Sequence, residues 1–280
     1  MLTYNLALVY LFSGLGLTVL SGYFLLNLRK QEKLQNIEKM MFKEEYRVYL
    51  RKTPHYKNLS DKDKKKIEHS ILLFANTKDF IGISLDVSDE MKVIIAFYAC
   101  LLLLHIETKN CYDNLQTILI YPTAIVTQRI QNNGGIVSSE QFFIEGQSSN
   151  DTVIIIWHEA KSEAYHLRHN NVIIHEFTHE IDFMSGEIDG VPPIERSKYN
   201  EWTRVLHKDF LALSQKVLKN RDWGKYKFLG SYASTNEAEF FAVITERFFE
   251  APKSLKTNFP ELYNELKSFY KIDTIKLLKY

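Results

Sequence analysis

The sequence predicts an α+β domain, mostly helical with a small mixed sheet, preceded by one N-terminal transmembrane helix. Three observations carry that expectation. Residues 1 to 28 contain no charged side chain, several downstream segments repeat apolar residues at helical spacing, and short β-branched runs fall between residues 117 and 157. With 280 residues, 45% of them hydrophobic and 13% aromatic, the chain has material for one sizeable core. A net charge of +1 supplies no global field for nucleic acid, which is excluded as an expected partner.

The elements follow in order. Leu6 to Leu28 are mostly apolar, long enough for a bilayer core ~30 Å thick at a rise of ~1.5 Å per residue. No Lys or Arg precedes this run, as a cleavable signal would require, and Arg29, Lys30, Lys33 and Lys39 follow it. The asymmetry puts the long C-terminal part on the cytoplasmic side of a single-pass membrane protein. Residues 29–58 read as a stalk or linker helix ending near Pro54, and residues 59–280 as the main domain. Ser60 can cap a helix over 60–76, whose Ile67, Ile71, Leu72 and Phe74 face inward while Lys62 to Lys66 form a solvated face. A second helix, near 89–105, covers nearly all of the apolar run Val93 to Ile106, which is too short to span a bilayer and is therefore a core element. Strands are expected at 117–121, 124–128, 142–145 and 153–157, with a turn at Asn132-Asn133-Gly134-Gly135. Later helices are expected at 196–219, 235–249 and 260–270. Cys100 sits in an apolar run and Cys111 stands apart, so no disulfide framework is evident.

The chemistry centres on His175-Glu176-Phe177-Thr178-His179. On a helix, histidines four apart project from one face, so both imidazoles can reach one tetrahedral Zn²⁺. Water on such a metal has its pKa lowered from ~15.7 to as little as ~7, and the intervening glutamate is placed to take its proton. Asn170 or Asn171 can cap this helix and Gly186 can stop it, while Asp182 joins the two histidines on one stripe. His158, His166 and His169 lie on a segment with no clear helical pattern and read as surface or substrate-facing residues. The run Val153 to Trp157 ahead of them suits a strand at the edge of a substrate cleft or in the core.

A catalytic zinc needs a third protein ligand and one open position. A third histidine close behind the motif is ruled out, because Asp182 and Ser185 occupy the positions where a Gly and a His would stand. The alternative is a gluzincin-like glutamate on a later helix, and the segment Ser231 to Val243 offers two. Ser234 and Glu237 have capping-box spacing, which gives Glu237 a structural job. Glu239 is flanked by Phe240, Phe241 and Val243, where a metal partner would relieve the cost of burying its carboxylate. Spacing favours Glu239 and leaves Glu237 open.

The motif with Glu180-Ile181-Asp182, then Asp189-Gly190-Val191-Pro192 and the string Asn236 to Val243, resembles the Mlc titration factor A family of bacterial zinc peptidases. Asp89 to Ala96, Ala99 to Leu103, Ile120-Tyr121-Pro122 and Phe248-Phe249-Glu250-Ala251-Pro252 extend the likeness. Ser231 to Ala242 is also similar to the catalytic domain of anthrax lethal factor, a related zinc peptidase. The resemblance implies a zincin-like metallopeptidase domain binding one Zn²⁺ through His175, His179 and Glu239, with Glu176 as general base. It implies for Tyr232 a hydrogen bond to the tetrahedral intermediate, worth ~3 kcal/mol of barrier. Asp182 is expected to orient a ligand histidine by accepting its second ring N–H.

The expected function is a zinc metallopeptidase acting on a peptide or protein substrate, with aminopeptidase action among its modes. It is expected at a bacterial inner membrane with its catalytic domain in the cytoplasm. The alternative that the resemblance implies is a binding protein that sequesters a sugar-responsive transcriptional repressor, with peptidase activity secondary.

Overall fold

A computed structural model describes residues 2–107, 112–123, 151–220 and 222–279. The chain divides into two compact units, Met1–Phe42 and Lys43–Tyr280. The expected strands at 124–128 and 142–145, the Asn132 to Gly135 turn and Cys111 lie outside the described residues.

The first unit is built on one helix, α1 (Leu2–Glu38). Among the described residues, no helix is long and apolar enough to cross a membrane. This corrects the expectation of an N-terminal transmembrane helix. From Leu15 onward the apolar side chains of α1 are interrupted by Gly16, Thr18, Ser21, Gly22 and Asn27. Arg29, Lys30, Glu32 and Lys33 then follow. The single-pass membrane location, the membrane as a partner and the cytoplasm-facing orientation all rested on that helix and fall with it.

The second unit opens with α2 (Glu44–Leu50), α3 (Pro54–Asn58) and α4 (Asp61–Thr77). Ser60 caps α4 by accepting the Asp63 N–H at 3.1 Å, as the sequence predicts. Strand β1 (Asp79–Gly82) leads into α5 (Asp89–Leu102), then β2 (Thr117–Tyr121) and β3 (Thr152–Ile156). After these come α6 (Trp157–Tyr165), α7 (Val172–Phe183), α8 (Tyr199–Leu218) and α9 (Glu237–Glu250). The unit closes with α10 (Pro252–Asn258), α11 (Pro260–Tyr270) and α12 (Thr274–Leu277).

The described sheet has the order β1-β2-β3 and is parallel throughout, where the sequence predicts a mixed one. Thr117 of β2 stands opposite Asp79 on one side and Thr152 on the other. Parallel neighbours require a crossover, and α5 supplies it between β1 and β2. Every residue of α5 from Val93 to Leu102 is buried, as expected of a helix apolar on all sides. It packs on α2, α4 and α7 and forms the floor under the motif helix.

Two elements depart from the pattern reading. β1 escapes it because a four-residue strand directly after a helix has room for only Phe80 and Ile81 as apolar markers. The segment after β3, read as lacking helical pattern, is helix α6, and Trp157 is its first residue instead of the last of the strand. Its buried face is Trp157, Ala160 and Ala164, spaced for a helix, but the two alanines are too small to register as an apolar stripe.

Candidate metal centre

α7 and α9 cross in the core and carry the chemistry on their facing sides. Asn171 caps α7, its Oδ1 accepting the Ile174 N–H at 3.2 Å. Ile173, Ile174, Phe177 and Ile181 are fully buried, and Phe177 is wedged edge-on against Phe74 and Tyr112 at 5.6 and 5.1 Å. That apolar face locks the rotation of α7 and leaves His175, Glu176 and His179 lining a cleft of about 910 Å³.

α9 starts differently from the capping box predicted for it. Asn236 is the cap: its backbone is extended and its Oδ1 accepts the Glu239 N–H at 2.8 Å. The Ser234 hydroxyl donates to the Ser231 carbonyl, and Glu237 becomes the first helical residue, half exposed and 3.9 Å from His207 Nδ1. An Asn two positions nearer the helix than Ser234 takes the capping job and sets Glu239 one turn in.

The consequence is a close cluster. His175 Nε2 lies 3.0 Å from Glu239 Oε2, and His179 Nε2 lies 3.5 Å from the same oxygen. One ligand atom from each of the three residues falls within 4.8 Å of the others, so His175, His179 and Glu239 can hold a metal ion. Two imidazoles and a carboxylate suit a metal that keeps one position open for substrate or water. The two imidazole rings are 5.0 Å apart and nearly perpendicular. Burial alone would lower the His175 imidazole, but hydrogen bonds to Glu239 and Glu246 outweigh it and hold the ring up at about 10. Burial would raise Glu239, and the two histidines instead hold it well below the usual carboxylate range. Burial pushes the Glu176 carboxyl up.

Tyr232 opens a short 3-10 turn, Tyr232–Ser234, and its ring centroid is 5.8 Å from that of His175. It is 47% exposed and lines the cleft. Burial and then the Glu239 carboxylate push this phenol above its ordinary value and keep it a proton donor.

Asp182 is fully buried and engages neither histidine by hydrogen bond. Its Oδ2 accepts the Gly190 N–H at 2.7 Å, its Oδ1 finds no hydrogen-bond partner among the described residues, and burial pushes its carboxyl up to about 6. Trp202 Nε1 donates to the Gly190 carbonyl at 3.0 Å, so both backbone groups of Gly190 are tied and the loop forming one cleft wall is fixed.

The residue that meets His175 Nδ1 is Glu246, at 2.9 Å. Sequence reasoning missed it, although a signal existed. Glu246 is seven residues after Glu239, two turns along the same face of α9, and a second acid on that stripe inside an apolar helix requires a partner.

The family model described as glucose-regulated metallo-peptidase M90 matches residues 26–271. A Mlc titration factor A of Pectobacterium atrosepticum is 32% identical over 226 residues, covering 79% of this chain and 83% of that protein. The Serratia proteamaculans protein of the same name is 30% identical over 194 residues, 69% of this chain and 73% of its own length. An uncharacterised protein of Synechocystis sp. is 32% identical over 228 residues, 79% and 81% respectively. With most of its length matched and relatives above 30% identity, the chain belongs to the glucose-regulated metallo-peptidase M90 family.

Proposed function

We propose that this protein is a zinc-dependent peptidase whose metal is held by His175, His179 and Glu239. The observation that carries the reading is the convergence of those three side chains on the wall of a large cleft, with Glu176 between the histidines. When bound there, zinc would supply a Lewis acid that polarises the scissile carbonyl and acidifies a water. Glu176 takes the proton of the attacking water and delivers it to the leaving nitrogen. Tyr232 donates a hydrogen bond to the developing oxyanion from the solvent side of the site. Leu206, Phe210 and Phe240 offer apolar contact to a substrate side chain in the same cleft.

The carboxylates of Asp189 and Glu237 also line this cleft and suit a free α-amino group, so aminopeptidase action is the mode to test first. Comparing free and N-acetylated forms of one peptide tests it. Faster cleavage of the free form supports aminopeptidase action, and equal cleavage of both points to internal hydrolysis.

The direct test of the peptidase reading is Glu176→Gln in the full chain. Zinc content should stay at the wild-type level while peptide hydrolysis falls by roughly 10²–10⁴-fold. Wild-type turnover by this variant would contradict the reading. A second reading is a binding function. Two of the relatives are named for titrating Mlc, and the sequence resemblance implies a sugar-responsive repressor as partner. Capture of such a repressor by the hydrolytically dead variant would favour binding as the output.

A further inference from the structure

α9 runs through the core, and beyond Glu237 and Glu239 at its cleft end it carries three more ionic groups, Glu246, Arg247 and Glu250, all buried. Each bonds to the chain that leads into α7. Arg247 binds the Asn170 side chain and the carbonyls of His169 and Phe228. Glu250 accepts from Asn171 Nδ2 at 2.9 Å and from the Arg168 N–H at 3.2 Å. Glu246 alone spans both levels: Oε2 accepts the Asn171 N–H at 2.7 Å, and Oε1 meets His175 Nδ1 at 2.9 Å.

A carboxylate can only accept from these groups, so its contact with His175 places the imidazole hydrogen on Nδ1. Glu239 makes the same demand of Nε2 at 3.0 Å, and a metal held there would take the place of that hydrogen, leaving the one on Nδ1 as the ring's only N–H hydrogen. Because the second oxygen is fixed to the cap of α7, the carboxylate cannot swing to follow the ring. The ring is held to the helix start instead. Asp182, another buried acid near the histidines, accepts from Gly190 and hydrogen-bonds to neither ring.

We infer that Glu246 is the positioning residue of the metal centre, setting the tautomer and orientation of His175 from behind. This inference rests on the metal reading given above. A glutamine at this position keeps one acceptor oxygen and presents an amide donor where two donors already point, so it must give up either His175 or Asn171. A carboxylate behind a ligand histidine commonly changes metal affinity 10–100-fold.

The test is zinc affinity of the full-length protein, by competition with a chromophoric chelator, for wild type, Glu246→Gln and Glu250→Gln. Glu250 shares the network around Asn171 but touches no histidine, so it reports what loosening the helix start does alone. Glu246→Gln should weaken zinc by about 10–100-fold and Glu250→Gln by less than about threefold. Zinc retained by Glu246→Gln at wild-type affinity, or lost equally in Glu250→Gln, overturns the inference. Absence of zinc binding by wild type overturns the metal reading and this inference with it. Nitrogen-15 correlation spectra of zinc-loaded wild type need no variant to fold: His175 should carry its proton on Nδ1, and a proton on Nε2 would refute the assignment.

Discussion

Replacing Gly190 by alanine should destabilise the protein, and the size of the effect follows from the structure. Gly190 has φ +81°, and a Cβ there would lie 2.7 Å from the Glu237 carbonyl oxygen and 3.0 Å from the carbon that bears it. The left-handed backbone costs an L-residue about 1–2 kcal/mol. Forcing an atom into backbone that cannot retreat adds about 1–3 kcal/mol, for a sum of about 2–5 kcal/mol. In a unit of this size each kcal/mol lowers the Tm by roughly 2–4 °C, which gives a fall of roughly 4–20 °C. Gly186 is the internal control. Its φ is +104°, but nothing lies within 4 Å of an added Cβ, so Gly186→Ala should cost only the backbone share, a fall of roughly 2–8 °C. Scanning calorimetry of the two variants beside wild type measures both. Because Glu237 begins α9 two residues before Glu239, Gly190→Ala should also weaken zinc binding, and Gly186→Ala should not. A Gly190→Ala protein melting within about a degree of wild type, or more stable than Gly186→Ala, would refute the reasoning.

Asp182→Asn should change the pH dependence of stability. Burial holds the folded carboxyl at about 6 against an ordinary 3.8, so the folded state keeps its proton where the unfolded chain has lost it. Below pH 3.8 the group imposes no penalty, between there and about pH 6 stability falls, and above that the penalty levels off at about 3 kcal/mol. Asparagine keeps an acceptor for Gly190 N–H and cannot ionise. In metal-free protein the stability of the variant relative to wild type should therefore rise between denaturant titrations at pH 4 and pH 7.5, and an unchanged difference would contradict the account. Tyr232→Phe should leave zinc content and Tm near wild type while lowering kcat for peptide hydrolysis by roughly 10²–10³-fold, as for loss of one oxyanion donor. A change confined to KM would instead make Tyr232 a substrate contact.

Much of the site was legible because it depends on local spacing. Two histidines four apart on a helix whose other face is Ile173, Ile174, Phe177 and Ile181 need no tertiary knowledge to place. The remaining residues depend on which helix crosses which. Asp182 shares a stripe with both histidines, and spacing alone makes it a natural hydrogen-bond partner for one of them. The returning loop reaches it first, through Gly190, and Glu246 fills the place behind His175 from a helix 71 residues downstream. The caps show the same limit. Ser234 and Glu237 have capping-box spacing, but Asn236 stands nearer the helix and wins the first turn of α9. Core helices such as α5 announce themselves by continuous apolar sequence. α6 hides because its buried face is mostly alanine, and β1 because it is four residues long. The apolar N-terminal run misled, because among the described residues no helix meets the length and apolarity that a bilayer requires.

The central claim is that His175, His179 and Glu239 form one metal centre, and metal analysis of the purified chain tests it most directly. Wild type should carry about one zinc per chain, and His179→Ala and Glu239→Gln should each lose it or bind it far more weakly while remaining folded. Folded wild type without zinc, or stoichiometric zinc undiminished in Glu239→Gln, would contradict the account.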